Sequence, residues 1–183
     1  MVKKACIFAV VASVILGQSI AMAEGGGDLW RLANKNGSIK IFIKDPANES
    51  KESQIVPDSL KKSLETALIN RKATKFEIVK TPEGSDVQVC SVIKKYQYME
   101  RGPIKPTPGI ATTLLDCAAS ALENYVEMSV AIILTDTKTG SVLWQDNLNP
   151  YVKKRMSPDE SIPVISDRVA SHFIWKCFGK PSN

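Results

Sequence analysis

Two clusters of cations carry most of the chemistry this sequence offers. Lys94 and Lys95, with Arg101 and Lys105, gather around the end of one predicted strand, and Lys153, Lys154 and Arg155 stand between the last predicted strand and the last predicted helix. Both places are loop ends, where a scaffold commonly presents binding groups. Cations there suit a phosphate, Arg through a bidentate fork and Lys as a point charge. Tyr96, Tyr98 and Tyr151 lie close by in sequence, and aromatic plus basic side chains make a typical interface mixture. Each reading has a plainer alternative. The cations are then solvated charge, and Tyr96 and Tyr98 are ordinary cross-strand residues.

Catalytic chemistry finds no such support. His172 is the only histidine, and it falls on or beside the apolar face of the last helix, which favours a structural role. No serine or cysteine sits in a nucleophile motif. There is no glycine-rich phosphate loop, no metal-ligand spacing and no CxxC pair. The expectation is a binding protein, not an enzyme, with no cofactor and no metal.

Ser38 to Lys44 alternates, with Ile39, Ile41 and Ile43 on one face of a half-buried strand. Asp45 to Ser53 reads as a loop. Pro57 to Arg71 reads as a helix with Leu60, Leu64, Ala67 and Leu68 on its buried face. Lys75 to Val79 is a short strand closed by the Pro82-Glu83-Gly84 turn. Ser85 to Tyr98 is a long strand with Val87, Val89 and Ile93 on one face and Cys90, Val92, Tyr96 and Tyr98 on the other. Three prolines in Arg101 to Gly109 require a loop. The apolar piece Ile110 to Leu122 reads as the tip of a long hairpin, a short helix or a membrane-touching segment, the first two being favoured.

Tyr125 to Leu134 alternates again, Asp136 to Gly140 is a hairpin loop with Gly140 suited to positive φ, and Ser141 to Asn147 returns. Ser157-Pro158-Asp159-Glu160 has capping-box spacing at the start of the last helix, whose apolar face is Ile165, Val169, His172 and Phe173. Pro163 belongs to a first turn or delays the helix. The fold class expected is α+β: a mostly antiparallel four- to five-stranded sheet with two helices packed on one face.

The ends and the composition bound the setting. Lys3 and Lys4, the apolar run Ile7 to Leu16 and the small-residue site Ala21-Met22-Ala23 predict an export signal over residues 1–23. Residues 24–37 then form a flexible lead-in and 38–180 a single domain. Removal of the two signal lysines lowers the net charge from +5 to +3. A slightly basic exported domain suits an anionic partner such as a lipid phosphate, and export disfavours nucleic acid. Cys90, Cys117 and Cys177 remain after the signal, an odd number that allows at most one internal bridge; one disulfide and three buried thiols are both open. No lipid-modified cysteine follows the apolar core, so no lipid anchor is expected.

The hairpin Tyr125 onward through LTDTKTGSVLW resembles the Asp-x-x-Thr-Gly-x-x-Leu-Trp hairpin of small Gram-negative envelope proteins. VPDSLKKSLETALINR is similar to their first helix. SDVQVCSVIKKYQY is similar to their Ala-Asp-x-x-Leu-x-Gly strand, with Ser85-Asp86 at the Ala-Asp position and Ser91 near the usual glycine. SDRVASHFIW, with Asp167, Arg168 and Ala170, is similar to their closing helix. Over about Ile39 to Phe178 the chain most resembles the LptE family of lipopolysaccharide-assembly proteins. Related envelope folds share the hairpin.

The resemblance implies a periplasmic, outer-membrane-associated accessory. It would bind lipopolysaccharide and a large β-barrel partner, LptD-like, and serve lipid transport. Under it Lys153, Lys154, Arg155, Lys94, Lys95 and Arg101 become lipopolysaccharide ligands, and Tyr96, Tyr98 and Tyr151 the partner interface. The alternative is a related envelope module that regulates a cell-wall synthase or a secretion channel.

Overall fold

The computed structural model describes residues 37–50, 55–71, 75–100 and 124–179. The signal, nearly all of the lead-in, Arg101, Lys105, Cys117 and the apolar piece 110–122 lie outside the described residues.

Alternating sequence makes the long strands. β1 (Ile39–Ile43) and β5 (Asn124–Asp136) bury every second side chain, and so does β4 (Val87–Met99) as far as Ile93. β3 (Phe76–Val79) and β6 (Val142–Leu148) complete the five expected strands. Two further strands interrupt segments read as connections: β2 (Ala47–Asn48) and β7 (Tyr151–Lys154). α1 (Ile55–Ile69) buries Val56, Leu60, Leu64 and Leu68 at helical spacing. α2 (Pro158–Phe178) begins on a complete capping box between Ser157 and Glu160, as the spacing predicts. Pro163 lies within the second turn of α2, where it withholds the N–H that Asp159 would otherwise accept.

The sheet is mixed and seven-stranded, which corrects the mostly antiparallel, four- to five-stranded expectation. The order is β3-β1-β4-β5-β6, with β2 extending the β1 rank along β4 and β7 extending the β6 rank along β5. The physical reason is α1. A helix between β1 and β3 returns the chain to the same end of the sheet, so β3 runs parallel to β1. β4 then adds to the other side of β1, again parallel. The antiparallel half is β4-β5-β6 with β7.

Both helices cover one face of this sheet. Ile41, Val89, Val130 and Ile132 from the strands, Leu64 from α1 and Ile165, Val169 and Phe173 from α2 form one core, all fully buried. Burying each such side chain contributes roughly 1.5–3 kcal/mol. The opposite face holds Phe42, Gln88, Cys90, Val92, Ala131 and Ile133, all half-buried.

One irregularity decides which residues reach the core. The β4–β5 register shifts between Ile93, opposite Val130, and Lys95, opposite Ser129, so Lys94 is an extra residue. Before the bulge the odd positions face the helices; after it Tyr96 and Tyr98 do. The expectation that these tyrosines share a face with Cys90 and Val92 is thereby corrected.

At the far border, β6 has no strand on its outer side among the described residues. Met128 N–H donates to Pro150 O at 3.2 Å. The same alternation turns the backbone groups of Gln145 and Asn147 outward. Asn147 N–H is taken by Asp146 Oδ1 at 2.7 Å, and Lys176 Nζ holds Asp146 Oδ2 at 2.7 Å.

Candidate functional site

The two cation clusters come together only in part. Lys94, at the bulge, pairs with Glu49 at 2.7 Å. Lys95 points to the open face and pairs with Glu127 of β5. β7 aligns Tyr151 with Glu127 and Lys153 with Tyr125, which puts Tyr151 and Lys153 on that same open face. Lys154 alternates to the helix side, where its charge helps hold the Glu160 carboxyl low, behind the larger effect of the Ser157 N–H. Arg155 is exposed in the turn that leads to α2. Lys153, Lys154 and Arg155 have no ion pair among the described residues.

A chain of contacts joins the first cluster to the second. Tyr125 OH donates to Glu127 Oε2 at 2.7 Å, while Lys95 holds Oε1. The Tyr125 and Tyr151 rings stack with centroids 5.8 Å apart and planes 26° apart. Lys153 Nζ lies 5.8 Å from the Tyr151 centroid, within cation–π reach. Lys95 first, and then the Tyr125 hydroxyl, hold the Glu127 carboxyl below its usual range. Tyr151 is 57% exposed. Glu127 and Tyr125 were not singled out from sequence, although their alternation with Val126 and Met128 marks them for the open face.

Tyr96 and Tyr98 work inside the domain. Tyr96 is buried, and its hydroxyl shares a 2.7 Å hydrogen bond with Ser161 Oγ. Ser161 spends its own proton on Pro158 O, so Tyr96 is the donor. Tyr98 OH donates to Met156 O at 2.8 Å and accepts from Asn124 Nδ2 at 2.6 Å. Both tyrosines tie β4 to the start of α2.

The hairpin motif also proves to be structural. Asp136 Oδ1 accepts the N–H groups of Lys138 and Thr139, which folds the turn and holds the Asp136 carboxyl below its usual range. Gly140 takes φ 70°, as the turn requires. Ser85 Oγ meets Thr137 Oγ1 at 2.9 Å and Thr137 N–H reaches Asp86 O, so the Ser-Asp pair clamps the turn. Trp144 packs edge-on against Phe173. A shallow recess of about 380 Å³ beside this clamp balances Lys40 and Lys138 against Glu83 and Asp86.

His172 is half-buried against Trp175, and burial, followed by Arg168 and Lys176, lowers its pKa. Cys90 and Cys177 are free thiols on opposite sides of the sheet, and burial pushes both pKa values up, Cys177 strongly. Arg71 lies over the Phe178 ring and donates to Phe178 O at 2.7 Å, tying the end of α1 to the end of α2.

No protein-family model matches the chain, and neither does any curated protein. Solved structures do. A hypothetical protein, CT253, from Chlamydia trachomatis is similar at TM-score 0.50 with 10% identity, over 76% of this chain and 95% of that one. The PelC dodecamer from Paraburkholderia phytofirmans matches at TM-score 0.47 with 15% identity, over 73% of this chain and 87% of that chain. Lipoprotein GNA1162 from Neisseria meningitidis matches at TM-score 0.43 with 13% identity, over 74% and 97%. What this chain shares with the chlamydial protein is therefore a fold: two helices on one face of a mixed sheet.

Proposed function

We propose that this chain is an exported, non-catalytic binding module of the Gram-negative envelope. In this reading it is an outer-membrane assembly accessory that holds lipopolysaccharide phosphate and docks on a β-barrel translocon. The observation that carries it is the placement of Lys153, Lys154 and Arg155. They stand in succession on a border strand and its turn, exposed and without ion pairs among the described residues, whereas Lys94 and Lys95 are each engaged by a glutamate. Lys154 and Arg155, with Lys153 on the other side of the strand, give this end of the sheet a local positive charge that suits a phosphate group. The signal pattern at residues 1–23 supports the compartment.

The test is binding of purified lipopolysaccharide by the mature chain, with Lys153, Lys154 and Arg155 all changed to Glu. Binding should weaken by about tenfold or more and fall with added salt, since the Debye length shrinks to ~8 Å at 0.15 M. Full binding by the folded triple variant would remove the site assignment.

The exposed Tyr125–Tyr151 stack favours a second reading, a module that binds only protein and regulates a cell-wall synthase or secretion channel. A mild-detergent pull-down separates the two. A stoichiometric β-barrel with lipopolysaccharide supports the first, and a synthase or secretion component with neither supports the second.

A further inference from the structure

We propose that the end of the open sheet face is a saccharide subsite, with Tyr151 the stacking platform for one pyranose ring of an acidic glycan. An aromatic ring that is 57% exposed leaves a large apolar surface in water. Here that ring is also held in position. Tyr125 stacks against Tyr151, Glu127 accepts from the Tyr125 hydroxyl, and Lys95 fixes Glu127. A platform oriented before its ligand arrives loses little conformational freedom on binding.

The neighbours of Tyr151 select the ligand class. Gln97, Glu127 and Tyr151 form one row across β4, β5 and β7. Strands lie ~4.8 Å apart, so the two polar side chains run out to about 10 Å from the ring. A pyranose ring offers apolar C–H groups on its face and hydroxyls at its rim. The face suits Tyr151, and the rim hydroxyls, each donor and acceptor at once, suit an amide beside a carboxylate. An apolar peptide face laid there would strip water from Gln97, Glu127 and Lys95 and return nothing. Lys153 Nζ lies over the Tyr151 ring, 5.8 Å from its centroid, which places one cation beside the platform. That calls for a carboxylate or phosphate substituent on the sugar.

This site shares Lys153 with the proposed phosphate ligands but does not depend on the other two. Lys154 faces the helix side, Arg155 sits in the turn, and neither belongs to the row.

The test titrates the mature chain with hexuronate oligosaccharides and with neutral hexose oligosaccharides of equal length, read by calorimetry and by backbone amide shifts. The acidic series should bind and move the amides of Gln97, Glu127 and Tyr151. Tyr151→Ala should weaken binding by about tenfold, the loss typical of a central contact residue. Tyr151→Phe should keep it within about threefold, since stacking does not need the hydroxyl. Lys153→Gln should erase the preference for acidic over neutral chains, and Lys154→Glu with Arg155→Glu should leave it.

Vesicles carrying an anionic glycolipid form a second arm. Binding there alone, lost in Tyr151→Ala, supports the site and names a lipid-borne ring as its source. Binding of the free chains names a soluble glycan. No response in either arm, or a response that Tyr151→Ala leaves unchanged in a folded protein, overturns the proposal.

Discussion

The Tyr96 hydroxyl donates to Ser161 Oγ, and the Ser161 hydroxyl donates to Pro158 O, in a hydrogen-bonded chain at the start of α2. Tyr96→Phe removes the donor and leaves Ser161 Oγ to face a hydrocarbon edge. A cost of about 1–2 kcal/mol is expected, read as a lower urea midpoint with an unchanged slope. An unaltered midpoint would mean that water replaces the phenol. His172 makes a pH prediction. Burial lowers its folded pKa below the unfolded value of ~6.5, so the unfolded chain takes up the proton first and stability declines as pH falls through that value. His172→Gln should flatten the melting temperature between about pH 7 and pH 5. The chemistry of the cations was legible from type and spacing. Their engagement was not, because Glu49 and Glu127 arrive from distant parts of the chain.

The bulge at Lys94 is the element that separates sequence pattern from structure. Period-2 reading carried straight through β4 puts Tyr96 and Tyr98 on the wrong face, since one inserted residue inverts everything after it. Deleting Lys94 should therefore remove the bulge yet keep Ile93 opposite Val130, Lys95 opposite Ser129 and both tyrosines on the helix face, with a cooperative melt retained. A second residue inserted after Lys94 should instead turn both tyrosines out of the core and abolish the cooperative melt, while Lys94→Ala should melt within about 0.5 kcal/mol of the parent. Near-parent stability of the insertion would show that the register can slip without harm. α2 was legible from its capping box, and Ser157→Ala should cost about 1 kcal/mol. β2 and β7 were not legible, because two to four residues carry no period. Strand direction was hidden too: alternation is the same in a parallel pair as in an antiparallel one, and only α1 between β1 and β3 pointed to the former.

For the whole molecule, acid is the expected weakness. Glu127, Asp136 and Glu160 all have folded pKa values below their ordinary ones, held by Lys95, by the Thr139 N–H and by the Ser157 N–H respectively. A depressed folded value means that the unfolded chain binds protons first as pH falls. Their contribution is present above the unfolded carboxylate range of ~4–4.5 and is lost below it. Melting temperature should decline under about pH 4, even in the His172→Gln protein, by a modest amount because water screens all three carboxyls. The border at β6 adds a last consequence. Asp146 occupies the one outward N–H of Asn147 and is itself held by Lys176, and Pro150 breaks the rank before β7. An unguarded border of this kind is a template on which copies polymerise. Asp146→Ala should raise light scattering at high concentration, and an unchanged signal would assign the protection to Pro150 instead. A strand laid along β6 would have to displace Asp146 from the Asn147 N–H and part it from Lys176, so at this border contacts through the loops and the open surface are favoured over a lengthened sheet.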